Sequence, residues 1–137
     1  MKDISKLARI QMIFILLFAF FKFIRPTVLA SNAPEIFKII LLSLPNFFEG
    51  VIGTLVLTAI GLYLNARVLT KQIKRQLIYI MATILAAIYV ITQELKIHNL
   101  GGNNVFDIND IIFSIIGLAV GFTMIMIIKP KIDVVTD

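Results

Sequence analysis

The side chains best equipped for chemistry are four acids, Glu49, Glu94, Asp107 and Asp110. Asp107 and Asp110 stand about one helical turn apart, so on a helix their carboxylates share a face. Carboxylates grouped in this way attract a cation, an amine, or the hydroxyls of a sugar or lipid head group. They also do acid–base work when their surroundings push their pKa values apart. The same spacing has an architectural meaning. Asp107 is a good helix N-cap, and an acid at position 110 falls in the first turn, where the helix dipole favours an anion. Both readings stand at this point. Other chemistries are closed. The chain has no cysteine, hence no disulfide, thiolate nucleophile or Cys-based zinc site. His98 is the one histidine, and no HExxH motif exists, so neither a metal nor a cofactor is expected.

What must position these acids is apolar. Of 137 residues 59% are hydrophobic and 15% charged, and the mean hydropathy is +0.97. A soluble domain carries about a quarter charged residues, so the excess here calls for a bilayer as solvent. Four apolar runs stand out: Leu7 to Ile24, Phe47 to Leu64, Leu77 to about Ile91, and Ile111 to Ile128. Each is long enough to cross a hydrocarbon core of about 17–25 helical residues once flanking Lys and Arg snorkel. The third reaches that length by continuing through Glu94. None alternates in the way a membrane barrel strand does. The sequence therefore predicts an all-α integral membrane protein, four transmembrane helices in one bundle spanning about 7–25, 46–65, 77–96 and 108–129. A cleaved signal peptide ending near Ala30 is the rival reading of the first run, but Lys22 and Arg25 lie where such peptides are neutral. Between the first two spans, Pro34 to Pro45 is helical in pattern, too short to cross and closed by a proline. It predicts a short interfacial or re-entrant helix.

Orientation follows from the basic residues. With the N-terminus inside, the nine residues Lys2, Lys6, Arg9, Arg67, Lys71, Lys74, Arg75, Lys129 and Lys131 are cytoplasmic, and the four residues Lys22, Arg25, Lys38 and Lys96 are outside. The positive-inside bias thus predicts both termini in the cytoplasm and gathers Glu49, Glu94, Asp107 and Asp110 at the outer boundary. The net charge of +5 is juxtamembrane anchoring, with Lys71 to Arg75 facing anionic lipid, and no nucleic-acid partner is expected. Acids near the lipid level usually face a bundle interior, so the four are expected to form one outer acidic site. Ser114, Gly117 and Gly121 on the fourth helix, and Gly50, Gly53 and Gly61 on the second, predict close helix packing. His98 and the residues from Asn99 to Asn104 read as an outer turn.

The arrangement Asp107-x-x-Asp110-x-x-x-Ser114-x-x-Gly117-x-x-x-Gly121, preceded by Glu94 at the end of an apolar helix, resembles the VanZ-like membrane family. Size and helix number match loosely over most of the chain, and the specific part runs from Glu94 to Gly121. Ile97, Asn104 and Ser114 stand where the family often has glutamine, arginine and asparagine, and a charged stretch of an earlier helix has no clear counterpart near Pro45 to Glu49. The founding member is associated with resistance to the glycopeptide teicoplanin. The resemblance implies a role in the cell envelope at the outer face of a bacterial cytoplasmic membrane, without implying a reaction. The expectation is a membrane protein that binds an envelope lipid, glycan precursor or glycopeptide through Glu49, Glu94, Asp107 and Asp110. The alternatives are an intramembrane enzyme on a lipid-linked substrate and an accessory subunit packing on a membrane protein or on a second copy.

Overall fold

The computed structural model describes residues 2–95 and 107–133. They form four helices, α1 (Lys2–Leu29), α2 (Glu35–Arg67), α3 (Arg75–Glu94) and α4 (Ile108–Ile128), and no strand occurs among them. Each apolar run lies inside one helix, and all four helices are long and apolar enough to cross a membrane. In such surroundings backbone N–H and C=O groups find partners only within the helix itself. Ile97, His98 and the turn from Asn99 to Asn104 lie outside the described residues.

The short helix expected between the first two spans is not a separate element. Its residues are the opening turns of α2, which runs unbroken through Pro45. A proline within a helix loses one N–H donor and crowds the carbonyl four residues back, at a cost of about 3 kcal/mol. Breaking the helix would strand several amides in apolar surroundings, and the surrounding turns outweigh the one defect. Pro26 is accommodated within α1 in the same way.

α2 is the centre of the molecule, packing on α1, α3 and α4, with α3 also touching α4. Much less of α1 is buried than of α2, 6% of its most apolar window against 39%. Its anchorage is local. Leu7, fully buried, joins Val51, Leu55, Leu62, Ile78, Tyr79 and Ile125 in the main core. Higher up, Phe14, Phe18 and Phe21 surround Phe48, with ring centroids 6.1, 6.3 and 5.9 Å away.

Two side-chain clamps close the basic end. The Asn65 side-chain amide donates to the Ile73 carbonyl at 3.1 Å, while its oxygen accepts the Ile73 N–H at 2.7 Å. That satisfies both backbone groups of a residue in the α2–α3 connection. The Tyr79 hydroxyl donates to the Pro130 carbonyl at 2.6 Å, tying the chain beyond α4 to α3. α4 ends at Lys129 in the left-handed conformation, φ 49°, with its N–H donating to the Ile125 carbonyl at 2.8 Å. That position is ordinarily taken by glycine.

Candidate functional site

Helix register sets the level of each acid. A Cβ on Gly53 would lie 3.6 Å from the Ala86 Cβ, and one on Gly61 would press into Ile78. α2 and α3 are therefore antiparallel with constant offset, and Glu94 at the end of α3 falls level with Pro45, one turn from Glu49. Against α4 the direction reverses. Gly50 faces Ser114 and Leu118, and Gly121 faces Thr54, so α2 and α4 run parallel. With Gly121 opposite Thr54, Asp110 comes level with Ser43. Glu94 and Asp110 thus lie within a turn of each other, with Glu49 a turn below Glu94.

Close backbone approach holds α2 and α4 in this register. A Cβ on Gly117 would sit against the Phe47 carbonyl oxygen, and one on Gly50 would come within 2.8 Å of the Ser114 carbonyl oxygen and 2.9 Å of the Leu118 nitrogen. No other residue type leaves that space, which is the small-residue packing expected of membrane helices.

Glu94 is the least exposed acid among the described residues, at 8%. Glu49 and Asp110 are partly buried and Asp107 is exposed. The charges that act on Glu94 are those of Asp110, Glu49 and Asp107, while Glu49 faces Lys22 and Asp110. Asp107 is committed locally as well. Its Oδ1 accepts the Asn109 N–H at 2.9 Å, capping α4. Among the described residues no three acidic or histidine side chains stand close enough to share a metal ion. The acids form a field of negative charge spread over three helices rather than a coordination sphere.

Two kinds of residue near this layer escape a reading of the sequence. Lys22 of α1 places its Nζ 5.7 Å from the Phe18 ring centroid and is the cation that acts on Glu49. In sequence it looks like a flanking anchor; the signal is its place one turn past an aromatic on an apolar helix. Ser43 is the other; it and Ser114, already part of the small-residue face read from the sequence, are each 1% exposed and carry buried hydroxyls with no protein partner. A buried hydroxyl without a hydrogen bond is costly, which makes the α2–α4 seam polar as well as close-packed.

Four apolar helices fit a multi-pass membrane protein. No protein-family model, curated protein or solved structure matches this chain.

Proposed function

We propose that this chain is a VanZ-like protein of the bacterial cytoplasmic membrane. In this reading both termini are cytoplasmic, and the chain binds an envelope lipid head group, glycan precursor or glycopeptide at its outer face through Glu94, Asp110, Glu49 and Asp107. The supporting observation is Glu94, a buried carboxylate at the end of α3 whose charged neighbours are acids from α2 and α4. Gathering like charges at a helix-bundle boundary costs stability, and a ligand rich in hydroxyl, amide or ammonium donors offsets that cost. The family resemblance from Glu94 to Gly121 supports the envelope setting, and the nine basic residues at the other end support the orientation.

The test places the purified protein in phosphatidylcholine nanodiscs. Lipid-linked peptidoglycan precursor and teicoplanin are titrated separately, with binding read by native mass spectrometry. Saturable binding of at least one is expected. Glu94→Gln and Asp110→Asn should each weaken it about tenfold, as loss of a charge-assisted hydrogen bond implies, while melting without ligand stays level or rises. Binding of neither probe, or equal binding by both variants and wild type, overturns the proposal.

A further inference from the structure

At the opposite end of the bundle, two cavities of about 390 and 400 Å³ adjoin one another. Both are lined by Lys74 and Arg75; the first adds Lys131 and the second Lys129. We propose that this double cleft, between the α2–α3 connection and the chain beyond α4, binds the phosphate of an anionic lipid head group. The size is that of an ordinary small-molecule site.

Basic residues at a cytoplasmic end set topology by number alone. That role needs no cavity and no fixed wall, and this cleft has both. The Asn65 clamp on Ile73 and the Tyr79 bond to Pro130 hold its two sides. Ile73 precedes Lys74, and Pro130 separates Lys129 from Lys131, so each clamp fixes the backbone next to a lining cation. Lys129 occupies a left-handed position, the one positive-φ non-glycine residue among those described. Glycine would take that conformation at no steric cost; a lysine kept there in spite of it points to its side chain. α3 begins here as well, with Lys74 at the N-cap and no side-chain cap. First-turn N–H groups therefore add to the positive field. Among the described residues no ion pair engages Lys74, Arg75, Lys129 or Lys131. Asp133 is the one carboxylate in the lining of the first cavity; the second has none in its lining, and Asp3 acts on its Tyr79 from α1.

The shared chemistry is a phosphate, supplied either by a lipid or by a soluble anion. The protein in phosphatidylcholine nanodiscs is titrated with short-chain phosphatidic acid and, in a second arm, with inorganic phosphate, binding being read as a shift of melting temperature. Saturable binding of phosphatidic acid with no effect of inorganic phosphate assigns the site to lipid. Binding of both assigns it to the phosphate group itself. Lys129→Gly should weaken binding about fivefold, the effect of one basic residue near an anionic surface, while melting without ligand stays level or rises. Lys71→Gln removes a charge from the same connection but from neither lining, and should leave affinity within a factor of two. No saturable binding in either arm, or equal losses for Lys129→Gly and Lys71→Gln, overturns the proposal.

Discussion

Single side chains settle more of this molecule than their number suggests. Asp107 caps α4, so Asp107→Asn should hold stability, asparagine being an equally good cap, whereas Asp107→Ala should cost about 0.5–2 kcal/mol. Thermal melting of the two variants checks this. Cap and acid motif were both legible, because partner and acceptor are two residues apart. The depth of Glu94 was not, since its burial depends on where α2 and α4 stand relative to the end of α3. Asn65 shows the same limit. In sequence it is one polar residue near a helix end, and only the folded connection brings Ile73 within its reach.

At the scale of helices, glycines separate close approach from ordinary contact. Gly50→Ala forces a methyl onto the α4 backbone, where nothing yields without moving the helix, and should cost about 1–3 kcal/mol. Gly53→Ala meets the Ala86 Cβ at an ordinary 3.6 Å and should be neutral or stabilising by up to about 1 kcal/mol. Melting in detergent distinguishes the two, and equal effects would refute the assigned seam. The four helices were readable from apolar runs alone, since lipid demands a continuous apolar stretch. The error was at Pro45. In water a proline ending a short amphipathic stretch marks a stop, but apolar surroundings penalise the broken helix more than the missing bond.

For the molecule as a whole, the distribution of charge sets direction. Reporter fusions in the connection between Arg67 and Arg75 and after Asp137 should both read cytoplasmic, and an outside signal from either would invert the orientation. The basic cleft and the acids occupy opposite ends of the same bundle, so the proposed orientation would place the cleft against the inner leaflet and Glu94 at the outer one. That pairing was legible only as a count of charges. Which cations line a cleft and which are dispersed became clear from the folded ends of α2, α3 and α4.

The unbroken course of α2 has a consequence for the surrounding lipid. At about 1.5 Å per residue, the 20 residues of α3 cover about 30 Å, the thickness of a hydrocarbon core. The 33 residues of α2 cover about 50 Å. The excess lies beyond Pro45 and exposes Ile36, Phe37, Ile39, Ile40 and Leu42. On the α1–α2 side, therefore, apolar surface continues past the level at which α3 ends. A helix longer than the hydrocarbon core is accommodated by tilt or by local thickening of the bilayer, at fractions of a kcal/mol per ångström.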